Sequence, residues 1–174
     1  MNTDELMARY RDFTTEAARL ETLQTYVVPG DEERQEAFRQ GRPLSFRPGK
    51  AASLELIAGA VATGKRIGRI HVVDRPLSDY VRYEFAAYDE NIRAGESVLI
   101  TDRAADPALA SLTHDFVLFD GYTDHALVVW YDYTPEGLLI GYRKGSPEDI
   151  AVASAALELA RRHAVPLADF TTST

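Results

Sequence analysis

Along this chain apolar positions recur at two spacings, and the switches between them mark out its elements. Leu6, Met7, Tyr10 and Phe13 fall on one helical stripe, which predicts a helix capped by Thr3 and running to about Phe13, within an N-terminal region of residues 1–16. Residues 17–28 contain good helix formers, but Thr22, Thr25, Tyr26, Val27 and Val28 favour an extended end before Pro29-Gly30, so the segment reads as a strand. Asp31 is placed to cap a charged helix to about Gln40. Gly41, Pro43, Pro48 and Gly49 then make residues 41–49 the least regular stretch and the candidate for a mobile loop or lid. A helix from about Ala51 to Thr63 turns Leu54, Ile57, Ala58 and Val61 inward, with Gly64 as its stop.

From Arg66 to Val73 the period becomes two: Ile67, Arg69, His71 and Val73 alternate with Gly68, Ile70 and Val72, as in a strand. A helix from about Ser78 carries Tyr80, Val81, Glu84, Phe85 and Tyr88 at helical spacing, and Ser97–Thr101 is a further strand. Three strands follow in close succession, at Asp115–Asp120, His125–Tyr133 and Leu138–Tyr142, and the short turns between them predict an antiparallel meander. In the last helix Ser146 caps, Pro147 opens the first turn, and Glu148 and Asp149 sit at the positive end. Ile150, Ala153, Leu157, Ala160 and Ala164 form its apolar stripe, and Pro166 ends it. Alternating helices and strands followed by a meander and a closing helix predict an α/β fold, a single mixed sheet flanked by helices.

At 174 residues the chain has the length of one domain, expected to span 1–174. Nineteen basic against 27 acidic residues give a net charge of -8, which disfavours autonomous nucleic-acid binding and anionic membranes. The absence of cysteine removes disulfides, thiolate metal sites and thiol nucleophiles, and leaves oxygen and imidazole chemistry. The acidic, amphipathic start lacks the pattern of a signal peptide, and no apolar run approaches the ~20 residues of a bilayer span, so the expected location is the cytoplasm.

The stretch Thr113–Asp120, THDFVLFD, followed by Gly121, resembles in spacing the second half of the phospholipase-D-like signature, His-x-Lys-x-x-x-x-Asp-Gly. Thr113 stands at the nucleophile position and Asp115 at the lysine position, so the imidazole that attacks phosphorus and the ammonium that holds its oxygens are both missing. Arg19–Pro29, Arg69–Phe85, the Ala94-Gly95-Glu96 turn and Asp115–Gly121 together resemble a domain-of-unknown-function family of high-GC Gram-positive bacteria, often encoded beside helix-turn-helix regulators. That resemblance covers nearly the whole chain, its most specific strings being LSDY-x-R-x-E and DFVLFD. It implies a degenerate phospholipase-D-like half, whose non-catalytic relatives serve as sensor domains of transcription regulators.

Four groups of residues are candidates for chemistry. Asp120 is either a remnant of the degenerate signature or a hairpin-turn residue, since Asp-Gly is a common turn pair. His114, Asp115, Asp120, Asp124, His125 and Asp132 could supply metal ligands, but their spacing matches no ligand motif, and solvated turn carboxylates are the commoner explanation. Arg69, His71, Asp79, Tyr80, Arg82 and Glu84 lie at a strand end and the next helix, where a small anion could be held by Arg69 and Arg82 with His71 or Glu84 as acid or base; a structural ion-pair network is the alternative. Trp130 and Tyr131 face opposite ways on one strand, so one of them could belong to an exposed aromatic binding face, the alternative being core. No phosphate-binding glycine loop or nucleophile elbow is present, and neither a cofactor nor a metal is expected.

The function these features predict is a non-catalytic cytoplasmic regulatory or protein-interaction module partnered with a helix-turn-helix regulator, its acidic surface docking on a basic partner. The competing expectation is a small-molecule sensor or enzyme using an Arg69, His71, Arg82 crevice. A homo-dimer completing a phospholipase-D-like pair is a third.

Overall fold

The structure, a computed structural model, describes residues 1–45 and 47–172. Seven strands form one mixed sheet, in the order β6-β5-β4-β1-β2-β3-β7. β1 (Glu16–Glu21), β2 (Arg66–Val73) and β3 (Ser97–Asp102) run parallel. β4 (Phe116–Phe119) lies antiparallel on the other side of β1, and β5 (Leu127–Tyr133) and β6 (Leu139–Lys144) continue it as the expected meander. The fold is α/β, as the pattern predicts.

Strand alternation sorts the side chains onto two faces. On one, Ala18, Leu20, Ile70, Val72, Phe116, Leu118, Val128 and Trp130 pack beneath α5 (Pro147–Arg162) through Ala153, Leu157 and Ala160. On the other lie α1 (Thr3–Asp12), α3 (Pro48–Ala62) and α4 (Asp79–Arg93), and here the apolar residues divide into two clusters. Leu6, Phe13, Ala17, Ile57, Ile67, Val117 and Val129 form one, beneath α1 and α3. Val73, Val81, Phe85, Val98 and Ile100 form the other, beneath α4. α2 (Glu32–Arg39) packs on α4, with Phe38 against Tyr83 at 5.9 Å.

Several local expectations need correction. Asn2, not Thr3, caps α1 through a capping box with Glu5. The segment predicted as one strand over 17–28 is strand only to Glu21, because from Thr22 onward its polar groups bond to other elements, leaving only a bridge from Val27 to Leu138. Asp31 opens α2 without capping it, since its carboxylate is taken by Tyr83 and Arg47. Within residues 41–49, Pro48 and Gly49 already belong to α3, Arg34 ties down the Ser45 carbonyl, and residue 46 lies outside the described residues. On α3, Ile57 and Ala60 are buried, whereas Ala58 and Val61 are exposed. α5 does not close the chain: β7 (Ala164–Pro166) adds to the edge of β3, and α6 (Leu167–Thr172) packs Phe170 on Phe85. Residues 173–174 lie outside the described residues.

Asp120 lies at the turn after β4, where the Thr123 N–H donates to its carbonyl at 2.9 Å, and its side chain is an anchor. Buried, with φ of 52°, it accepts from the backbone N–H groups of Thr14 (2.9 Å), Thr15 (2.7 Å) and Glu16 (3.2 Å) and from the Thr15 hydroxyl (2.9 Å), fixing the entry of β1 against the end of β4. Burial opposes its ionisation, but these donors outweigh burial and hold its carboxyl below the usual carboxylate range. Its stabilisation is therefore complete above about pH 4 and is lost as the pH falls through the lowered value. Asp120→Ala is expected to lower the unfolding free energy by about 3 kcal/mol near neutral pH, and the gap from wild type to narrow in acid, as urea unfolding at the two pH values will show.

Candidate functional site

Between the two apolar clusters under α1, α3 and α4 runs a seam of buried charge. In the parallel register of β1 and β2, Arg19 sits beside Arg69 and Glu21 beside His71, all four on the same face. Two neighbouring guanidiniums repel unless carboxylates lie between them, and Glu21 does so: Arg19 Nη2 reaches it at 3.0 Å and Arg69 Nη1 at 3.2 Å. Glu96, from the turn after α4, takes the remaining nitrogens of Arg69, Nε at 2.7 Å and Nη2 at 3.2 Å. Asn91 of α4 donates its Nδ2 to Glu96. The result is one continuous chain, Arg19–Glu21–Arg69–Glu96–Asn91. Tyrosine rings lie against the guanidiniums, Tyr131 4.8 Å from Arg19 and Tyr88 4.7 Å from Arg69, and the Tyr88 hydroxyl donates to Glu21 at 2.7 Å.

This setting decides the protonation states. Burial would raise the Glu21 carboxyl, but Arg19 and Arg69 outweigh burial and bring it down to about 2. Glu84 has no such partner, so burial, reinforced by the charge of Glu21, pushes its carboxyl well above the ordinary range. Burial lowers His71, whose side chain is 0% exposed. The imidazole Nε2 lies 2.8 Å from the Leu23 carbonyl, which requires a proton on Nε2, so in the neutral ring Nδ1 is an acceptor. Tyr88 gives its proton to Glu21, and Glu84 Oε2 lies 3.4 Å from Nδ1 without forming a hydrogen bond to it.

A cavity of about 410 Å³ opens over the seam between α1, α3 and the sheet. A smaller one of about 220 Å³ continues toward α2 and α4, and Arg19, Arg69, Asn91, Arg47 and Ser53 line both. Among the described residues four buried side-chain atoms lack a hydrogen-bond partner: Arg19 Nε, Asn91 Oδ1, Glu84 Oε2 and Trp130 Nε1. The first three belong to residues lining this space. The carboxyl ends of the strands, where a crevice was expected, are instead closed by the segment after β1. Tyr26 donates to Asp115 at 2.6 Å, Gln24 bonds the Val72 carbonyl, and Ser78 donates to the Gln24 carbonyl. Gly137 lets the β5–β6 turn clamp that segment, because a Cβ there would lie 2.3 Å from the Thr25 carbonyl oxygen, and its φ is 90°.

The expected crevice of Arg69, His71, Asp79, Tyr80, Arg82 and Glu84 is thus assembled only in part. Arg69, Tyr80 and Glu84 line the smaller cavity and His71 lies behind Glu84. Arg82 and Asp79 do not belong to it: Arg82, 53% exposed, pairs with Asp79 at 3.3 Å on the outer side of α4. One residue past the buried Val81, a helix turns Arg82 by about 100° away from the sheet. Trp130 and Tyr131 are both buried, at 9% and 7% exposure, so they form no exposed aromatic face. Trp130 packs on Phe116 beneath α5, and Tyr131 is part of the cavity wall. Thr113 and His114, at the degenerate signature, are exposed and bond to each other, whereas Asp115 and Asp120 sit beyond opposite ends of β4 and bond to different segments. No group of three or more His, Asp or Glu among the described residues is arranged to hold a metal ion.

Arg19, Glu21, Tyr88, Asn91 and Glu96 were missed from sequence. The available signal was charge at alternate positions on two strands, Arg19 and Glu21 on one and Arg69 and His71 on the other, which puts four ionisable groups on one face.

The chain belongs to the family described as a domain of unknown function (DUF6879), whose model matches residues 4–172. No curated protein matches the chain, and no solved structure matches it. No helix among the described residues is long and apolar enough to cross a membrane.

Two isosteric changes separate the roles of the acids. Glu96→Gln strips a buried charge from Arg69 and is expected to cost about 3–5 kcal/mol in denaturant unfolding. Glu84→Gln behaves oppositely: the native state holds a proton there that the unfolded chain releases above about pH 4.3, so wild-type stability falls as pH rises toward the raised value. This variant is expected to be at least as stable as wild type near neutral pH, with its advantage vanishing near pH 4.

Proposed function

We propose that this domain is a non-catalytic cytoplasmic regulatory module that senses a small polar molecule in the cavity above the Arg19–Asn91 seam and passes its state to a helix-turn-helix partner. One observation carries this: a largely buried chain of ion pairs and hydrogen bonds has an unpartnered polar atom in the residue at each end, Arg19 Nε and Asn91 Oδ1, and both residues line a common cavity. A buried donor and acceptor left open each cost free energy. The cavity volume lies within the range of small-molecule sites.

Absence of catalysis is supported by how the reactive groups are engaged. His71 is enclosed with both ring nitrogens facing partners, Asp120 and Asp115 hold backbone segments, and Thr113 and Asp115 replace the pair that phosphodiester chemistry needs. The net charge of -8 suits a basic protein partner. A second possibility, an enzyme with Glu84 as general acid, draws support from the unpartnered Oε2 of that residue, which lines the smaller cavity.

Ser53, exposed on α3 and lining both cavities, gives a test that leaves the seam intact. Tagged wild-type protein taken from its native cells is expected to retain a small molecule in native mass spectrometry, and Ser53→Trp to lose it with an unchanged melting temperature. Wild-type protein carrying no molecule, or a molecule that Ser53→Trp retains, would contradict the sensor role.

A further inference from the structure

The cations around the two cavities bear on the charge of the occupant, granted that this space is a ligand site as proposed above. Among the described residues Arg19, Arg34, Arg47, Lys50 and Arg69 border it, against the carboxyls of Asp31, Glu84 and Glu96. Burial raises the Glu84 carboxyl well above the ordinary range, so it adds no charge near neutral pH. Glu21 and Glu90, which do not border the space, pair with its cations from outside. Five positive charges thus meet the four negative charges of Asp31, Glu96, Glu21 and Glu90, and one positive charge is left over.

The surplus falls on Arg47. Arg69 is used up: Nε and Nη2 clasp the two oxygens of Glu96, Nη1 bonds to Glu21, and its face lies on Tyr88. Arg34 gives Nη1 to the Ser45 carbonyl and Nη2 to Glu90, and Lys50 is held by Glu90 and the Ala87 carbonyl. Arg19 spends Nη2 on Glu21 and Tyr133. Among the described residues Arg47 makes one pairing, Nη1 to Asp31 at 3.1 Å, and Asp31 also accepts from Tyr83. Its side chain, 31% exposed, borders both cavities and leaves Nε–H and Nη2–H, the parallel donors of one guanidinium edge, unengaged. Arg69 shows what that edge fits, since there it holds the Glu96 carboxylate in two bonds, at 2.7 and 3.2 Å. The first turn of α3, which follows Arg47, carries no acidic side chain, so the positive end of that helix adds to the same field.

Much of the remaining wall of the larger cavity is aromatic. Tyr10 and Tyr131 bring their hydroxyls together at 3.4 Å, Tyr133 accepts from Arg19, and Tyr142 stands edge-on to Tyr131 at 5.1 Å, so these rings present apolar surface with polar tips largely engaged. We infer that the cavity takes an aromatic monocarboxylate, its carboxylate clasped by the Nε and Nη2 edge of Arg47 and its ring system against the tyrosine wall. The single charge of a carboxylate matches the surplus, whereas a phosphate monoester brings a second charge that no free cation meets.

Naphthoate, naphthamide and naphthyl phosphate share a ring system and differ in the charge of one substituent; each is titrated against the full chain by ligand-observed NMR. Naphthoate is expected to bind about tenfold more tightly than either of the others, the difference that one charge-assisted contact supplies. Arg47→Gln is expected to bring naphthoate down to the affinity of naphthamide and to leave naphthamide binding unchanged. Should Arg47→Gln fail to fold, the Arg47 Nε–H resonance of the wild type, read by nitrogen-15 NMR, must move with naphthoate and stay in place with naphthamide. Equal or tighter binding of naphthamide or naphthyl phosphate, a preference for naphthoate that survives Arg47→Gln, an Arg47 resonance that naphthoate leaves in place, or failure of all three probes to bind overturns the monocarboxylate assignment. The sensor proposal is judged separately: a molecule that native protein carries and Ser53→Trp loses, but that bears no carboxylate, upholds the sensor and overturns the monocarboxylate.

Discussion

Arg69 is the group on which this face of the molecule depends. It is held by Glu21 on one side and Glu96 on the other, with Tyr88 against its plane, and it closes the gap between two apolar clusters that share no residue. Burying two guanidiniums and two carboxylates costs several kcal/mol per ion before pairing, and pairing of this quality offsets that cost without a clear surplus. The seam therefore specifies an arrangement more than it stabilises one. It sets where α4 and the turn after it lie over β2, and so where Asn91 points.

The opposite face shows what stability alone asks for. Beneath α5 the strands present Leu20, Ile70, Val72, Phe116, Val128 and Trp130 with no ionised side chain among them, and a capping box at Ser146 fixes the start of the helix. One side of the sheet supplies an uninterrupted apolar core, and the other accommodates an expensive polar seam beside open space. Such a division suits the proposed binding role, since the residues of a site must be held rigidly by elements that do not themselves move.

Much of the fold was legible in the sequence because periodicity reports burial. The alternation over Arg66–Val73 gave β2 with its observed bounds, and the short turns gave the meander. β7 and α6 were hidden by Pro166, read as the end of a helix, though a proline on an edge strand leaves the ladder intact. The site was less legible. Arg82 follows Tyr80 in a suggestive string, but membership in a cleft depends on helical phase and not on proximity in sequence. Arg19 and Glu96, 77 residues apart, meet only through Arg69, and a single sequence carries no mark of that pairing. Trp130 and Tyr131 looked like an exposed aromatic strand because two neighbouring large residues fit either a core or a surface; helices on both faces of the sheet make them core.

The central claim is that the seam is complete at Arg69 and open at Arg19. The side-chain Nε–H resonances of the two arginines, followed by nitrogen-15 NMR before and after addition of a protein-free metabolite extract, test it most directly. The account predicts an Arg69 Nε–H resonance that stays in place throughout and an Arg19 Nε–H resonance that shifts when the extract is added. An Arg19 resonance that no extract component moves would contradict it.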